Sequence, residues 1–362
     1  MRSKVICTVS IAILFFVSCL YISPSAADPL DNWHVRAPSL TTASLSSIAY
    51  GNGVFVAVGG STIITSPDGE HWAVWSGGFG SLYSVTYGNG IFVASGQQNQ
   101  GASYAWYTLI SRDGLTWNEG SYTYPYPSSV TYGNGKFVAV GFWSIATSQD
   151  GEHWTHFDTK DAFRSITYSN EEFIALAQPY DKGNHHGYQL GTSFDGTTWS
   201  YNHIYPDDSV YFYDIAYGRD RFAAVGAAGG CSIPCYRQRI VTSFDAMHWT
   251  EMVNNDGEML EAITYGIGNF IAVGGNEIVT SADGVNWKKI TVPNAKYLLS
   301  VTNNGNTFVA VGTDGMILQS DPIAYQNEPV GVPTMNEWGI MLFLVMAGLG
   351  AIFNLGNHPR VS

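Results

Sequence analysis

Ser47-Ile48-Ala49-Tyr50-Gly51-Asn52-Gly53-Val54-Phe55-Val56-Ala57-Val58-Gly59, followed after a short gap by Ile63-Ile64-Thr65-Ser66-Pro67-Asp68-Gly69-Glu70-His71-Trp72, is the stretch that decides the fold. Ser47 to Tyr50 reads as a short alternating strand. Gly51-Asn52-Gly53 supplies the positive φ angles of a tight hairpin. Val54 to Val58, rich in β-branched and aromatic residues, reads as a second strand, and Thr62 to Thr65 as a third. Ser66 to His71 is then a turn with a mechanism. The Asp68 side chain can accept backbone N–H groups two residues on, and Gly69 stands where a Cβ would clash. Trp72 opens a fourth strand and is expected to bury a large apolar face between neighbouring units.

The unit recurs along the chain. Its first half returns with Tyr50, Tyr87, Tyr132, Tyr168, Tyr217 and Tyr265 in one place, and Asn303 takes that place in a seventh copy. Its second half returns as Asp68 with Trp72, Asp113 with Trp117, Asp150 with Trp154, Asp195 with Trp199, Asp245 with Trp249 and Asp283 with Trp287. Ala246 replaces the glycine in the fifth of these turns. Copies follow one another at intervals of about 36 to 50 residues, the size of a propeller blade. The seventh copy fails after Ser320-Asp321-Pro322, which leads to no tryptophan, while Asp31-Asn32-Trp33-His34-Val35 near the other end resembles the start of a fourth strand. The expectation is an all-β, seven-bladed β-propeller of four-stranded blades over 28–325, with an N-terminal strand closing the last blade so that no free sheet edge remains.

Six copies of S-x-D-G/A-x-x-W look like the Asp-box (BNR) repeat of sialidase-like propellers, with one residue fewer between Asp and Gly than the usual sialidase form. The combination with Y-G-N-G-x-F-V-A-V-G resembles bacterial BNR-type repeat proteins and, more distantly, photosystem II assembly-factor propellers. The resemblance covers about 32 to 325.

The chain has 362 residues and a formal charge of −13 spread without an acidic tail, so the basic footprint of a nucleic-acid partner is missing. Arg2 and Lys4, the apolar run Val5 to Ile22, and Ser25 and Ala27 before a cut after Ala27 read as a signal peptide over 1–27. A lipoprotein signal ending at Cys19 is the competing reading. Export places the protein in the cell envelope or at the cell surface. Beyond the signal only Cys231 and Cys235 remain; in an oxidising compartment they can close a small disulfide loop, the alternative being two free thiols.

After Tyr325 a linker and motif follow over 326–337. The apolar stretch 338–355 is long enough for one C-terminal transmembrane helix, with a short tail over 356–362. This end resembles the IPTL-CTERM sorting signal over Val332, Pro333, Thr334, Glu337, Trp338 and Gly339, with the residue types at Val332 and Met335 and a weakly basic end as departures. The resemblance implies an exosortase-type processing enzyme and a membrane as partners, at the envelope or surface of a Gram-negative bacterium; an uncleaved anchor is the alternative.

Chemistry is harder to find. Sialidase hydrolysis needs an arginine cluster for the substrate carboxylate, and no first strand carries an inward arginine except Arg164. Arg112, Arg219, Arg221, Arg237 and Arg239 fall in turns and loops. Asp207, Asp208, Asp214 and Glu261 are candidate carboxylates that the sequence cannot place opposite one another. The repeated turn aspartates read as structural. Asp181, His185 and His186 match no standard metal spacing. No catalytic residue, metal or cofactor is assigned.

Deviations from the repeat are where function is expected. Long loops at 97–107, 178–190 and 227–239 emerge on one face of the disc, bringing Tyr104, Trp106, Tyr107, Tyr180, Tyr188, Tyr236 and Arg237 together as candidate ligand-binding residues for an extracellular protein or glycan. The sequence thus points to a non-catalytic recognition or scaffold module. A polysaccharide hydrolase or lyase, and an assembly factor for a membrane complex, stand as alternatives.

Overall fold

A computed structural model describes residues 28–323, apart from positions 39, 77–79, 100–103, 124–126, 182–183, 186, 205–209, 229–236 and 253–256. The repeat folds as its residues dictate. Ser47–Gly51 pairs with Val54–Gly59, which pairs with Thr62–Ser66, which pairs with Ala73–Ser76, all antiparallel. Asn52 and Gly53 take the positive φ angles (46° and 77°) of the hairpin between the first two strands. The middle two strands of each sheet are buried almost throughout, because the disc packs both faces of every sheet against neighbours.

Hydrogen bonding divides the strands into six sheets, which corrects the expectation of seven separate blades: counted by sheet, the propeller has six. Five sheets have four strands; the sixth has seven strands and carries two copies of the repeat, those ending at Trp154 and Trp199. The physical reason lies at Phe142-Trp143. Here the loop that is long in neighbouring copies shrinks to a kink with Trp143 at φ 59° inside the strand Lys136–Ser148. Phe142 then pairs with Ala162 of the strand Thr155–Ser169, so the ladder bridges the place where adjacent sheets otherwise separate.

The split last copy closes across the termini. Trp33–Val35 pairs antiparallel with Ile317–Ser320, Trp33 lying opposite Ser320, and completes the sheet of Leu298–Asn303 and Phe308–Gly312. Leu30 and Trp33 join the apolar cluster of that sheet. Polar groups latch the seam. Asp321 takes His34 at 2.7 Å and Asn32 at 3.0 Å. Arg36 donates to Gln319 at 2.9 Å and pairs with Glu70 of the first copy at 2.8 Å.

Adjacent copies interlock through glycine. A Cβ on Gly51 or Gly88 would lie 2.0 Å from the ring of Tyr87 or Tyr132 in the next copy, so only glycine lets the two approach. Each of these tyrosines also packs on the phenylalanine of its own second strand, as Tyr87 does on Phe92 at 4.7 Å.

The only helices among the described residues are the short 3-10 turns Pro29–Asp31 and Thr313–Gly315. None is long and apolar enough to cross a membrane, so no helix among the described residues is the C-terminal transmembrane helix expected at 338–355. Those positions lie outside the described residues, as do the signal at 1–27, the motif at Val332, Pro333, Thr334, Glu337, Trp338 and Gly339, and the Cys231–Cys235 pair.

Candidate functional site

The recurring turn is structural in all six copies that carry it. Ser66 Oγ accepts from Gly69 N at 2.8 Å and donates to Asp68 Oδ1 at 3.0 Å. The same oxygen of Asp68 accepts from Glu70 N and His71 N, both at 2.8 Å, and Trp72 Nε1 donates to Gly69 O at 2.8 Å. Equivalent bonds hold Asp113, Asp150, Asp195, Asp245 and Asp283. These amide donors keep the carboxyls ionised: Asp113 is lowered to about 2, chiefly by the Thr116 and Leu115 N–H groups. Asp150, Glu152 and His153 gather on the surface, but Asp150 already receives two N–H groups and the His153 ring, so the cluster is the turn itself.

A second recurring feature lies at the channel. Every first strand opens with a β-bulge. Register shifts isolate Tyr83, Ser128, Arg164, Tyr213 and Leu299. Ser46 shares Val58 with Ser47, and Glu261 shares Val273 with Ala262. All seven bulged residues sit four positions before the recurring Tyr or Asn. A bulge re-aims its side chain, and here all seven line one cavity of about 340 Å³, together with Phe142, Gln178 and Tyr188. Ser46 and Ser128 turn their hydroxyls to backbone carbonyls of the next copy, Leu82 O at 3.2 Å and Phe163 O at 2.8 Å. The remaining five carry the chemistry: Tyr83, Arg164, Tyr213, Glu261 and Leu299.

Arg164 lies over the Tyr213 ring, 4.3 Å from its centroid, a cation–π contact. Glu261 Oε1 accepts the Tyr297 hydroxyl at 3.0 Å; burial and then the Glu261 charge hold that phenol protonated far above its ordinary range. Tyr83 packs 5.6 Å from Trp106.

The residue after each bulge forms a belt. It is serine in five copies, Asp214 in the fifth and Ala262 in the sixth. Ser47, Ser84, Ser129 and Ser300 accept backbone N–H groups of Val85, Val130, Ile166 and Ile48 in the following copy at 3.1–3.4 Å. Asp214 takes the Ser165 hydroxyl at 2.5 Å and the Ile215 and Ile263 N–H groups at 2.9 Å. Burial outweighs these donors and pushes its carboxyl up to about 6.

The expected aromatic face is corrected in part. Trp106 and Tyr107 are buried (5% and 2% exposed) inside the sheet of the second copy and offer no free surface. They alternate into the interior because the strand Tyr104–Ser111 runs on through what the sequence presents as a loop. Tyr188 is also buried, yet it lines the cavity and packs edge-on to Phe212 at 6.0 Å. Arg237 is exposed at the start of the strand Arg237–Ser243. Tyr104 and Tyr180 lie in strands whose side chains at those points are not described, and Tyr236 lies outside the described residues. The sequence reading missed the bulge ring, although the signal was present: position four before the repeat tyrosine varies freely beside a nearly constant serine.

Known structures agree on the fold. Virginiamycin B lyase from Staphylococcus aureus superposes with a TM-score of 0.63 at 13% identity, covering 81% of this chain and 99% of that one. The WD40 domain of Pan2 from Neurospora crassa gives 0.58 at 10% identity, covering 82% and 97%. Sqt1 from Saccharomyces cerevisiae gives 0.52 at 11% identity, covering 79% and 97%. At these identities the likeness establishes a propeller and nothing about activity, and the set mixes an enzyme with WD40 propellers. No family model and no curated protein matches the chain, so the sialidase-like Asp-box and sorting-signal resemblances gain no support from relatives.

Proposed function

We propose that this propeller is a non-catalytic recognition module, exported to the cell envelope or surface, that seats part of an extracellular protein or polysaccharide at the mouth of its central channel. One observation carries the reading. A single position per copy, aimed into the channel by a bulge, holds Ser46, Tyr83, Ser128, Arg164, Tyr213, Glu261 and Leu299, while the next position is nearly constant. A repeat frame kept regular for stability and varied where side chains meet the cavity is what a rigid scaffold with a chosen ligand needs. Among the described residues lining the cavity Glu261 is the one carboxylate, so the facing pair that glycoside hydrolysis uses has no second member there.

The test is binding of the full chain to envelope polysaccharide and to an immobilised peptide array, compared with Tyr83→Ala and Arg164→Ala. Loss of binding with an unchanged melting temperature supports the mouth as the site. Undiminished binding by both variants places recognition elsewhere on the disc.

A further inference from the structure

The cavity wall is not uniform. Around the ring, Arg164, Tyr213 and Glu261 come from three successive copies and form a polar arc of cation, ring and anion. Phe142 and Leu299 come from the copies that flank this arc on either side, Tyr83 from across the ring, and Phe142 is 55% exposed. The two charges do not neutralise each other: among the described residues neither Arg164 nor Glu261 enters an ion pair. Arg164 rests on the Tyr213 face and is exposed, and Glu261 uses one oxygen for the Tyr297 hydroxyl. Tyr213 stands between them and keeps them apart.

A separated cation and anion over one cavity, with apolar side chains beside and across from them, match a ligand with the reverse arrangement of charges. We propose that the mouth binds a dipolar, peptide-type ligand: its carboxylate on Arg164, its ammonium on Glu261, and an apolar side chain against Leu299, Tyr83 and Phe142. This rests on the mouth being the recognition site and selects the peptide side of that reading. Guanidinium–carboxylate contact is planar and charge-assisted, and each charged contact removed from such a partly enclosed site is expected to cost about tenfold in affinity or more. The same chemistry can come from a free peptide carrying both termini or from an internal segment carrying a lysine and a glutamate side chain.

Calorimetric titration of the full chain tests this with three probes: uncapped di- and tripeptides bearing leucine or phenylalanine, the same peptides acetylated and amidated, and capped peptides containing a lysine–glutamate pair. Binding of the first or third set, loss of binding on capping the first, and a drop of about tenfold or more in both Arg164→Gln and Glu261→Gln support the proposal; which set binds identifies the source. Gln at 261 still accepts the Tyr297 hydroxyl, so its effect reads charge and not folding. A charge-exchanged Arg164→Glu, Glu261→Arg chain that recovers part of the affinity gives further support. Equal binding of capped, charge-free peptides, or no binding by any of the three sets, overturns the proposal. A neutral oligosaccharide whose binding is lost in Tyr83→Ala but kept in Arg164→Gln and Glu261→Gln also overturns it, while leaving the mouth as the recognition site. Binding that ignores all three substitutions removes both.

Discussion

Tyr83 faces the channel and is 36% exposed, whereas Ser84, the next residue, is buried and accepts the Val130 N–H of the following copy. The contrast repeats around the ring. Arg164 lies on Tyr213 in the mouth while Ser165 binds Asp214 within the belt. One residue separates a position free to vary from a position that holds two copies together, because successive side chains in a strand point to opposite faces and the bulge sets which of them meets the cavity. A propeller can therefore change its ligand without disturbing its joints, and the joints should be sensitive where the mouth is tolerant.

The joints offer the largest effect. Trp117 is buried, packs on Phe92 at 6.4 Å and donates to Gly114 O. Trp117→Ala is expected to cost about 3–5 kcal/mol, read from denaturant unfolding; a loss under about 1 kcal/mol would contradict a structural role for these turns.

Asp214 is the joint that departs from serine, and its effect depends on pH. An acid whose folded value is raised from 3.8 to about 6 holds its proton more tightly in the folded state. Its cost to stability is absent below about 4, grows as pH rises, and is complete above about 6. Asp214→Ser should therefore raise stability at pH 7 by roughly 3 kcal/mol, at about 1.4 kcal/mol per pKa unit, and change little at pH 4. Melting curves across that range check the slope, and a pH-independent difference would remove the carboxyl as its cause.

Belt serines come next. Ser84→Ala leaves the Val130 N–H without its acceptor and is expected to cost about 1–3 kcal/mol. The smallest effect belongs to the mouth. Arg164→Ala loses one exposed cation–π contact and should shift stability by no more than about 1 kcal/mol. If Arg164→Ala destabilises more than Ser84→Ala, the division between mouth and joint fails.

Much of the repeat frame was open to sequence reading. Strand boundaries in the first copy fall within a residue or two of those expected, because hairpin glycines and β-branched runs act locally. The aspartate and tryptophan turns are likewise local. The pairing of Trp33–Val35 with Ile317–Ser320 could be foreseen only because the last copy lacked its own tryptophan. The bulges were not foreseen, since an extra residue in one strand is defined by its partner across the sheet. Nor was the burial of Trp106 and Tyr107, which depends on a strand running past its usual end. The joining of two copies at Phe142 and Ala162 is a pairing between segments that each look ordinary alone.

The seam at Trp33 and Ser320 also sets an order of events. The first described strand finds its partner only after nearly all the strands between have been made, across a separation of 287 residues. Closing a loop of that length costs about 5 kcal/mol of chain entropy, recovered only when the seam's contacts form together. Copies in the middle can assemble from near neighbours as they appear, but the ring must wait. Until then Trp33–Val35 is a short unpaired strand, open to Ile317–Ser320 of another molecule. Crowded refolding should favour exchange of this strand between chains, and dilution the closed monomer.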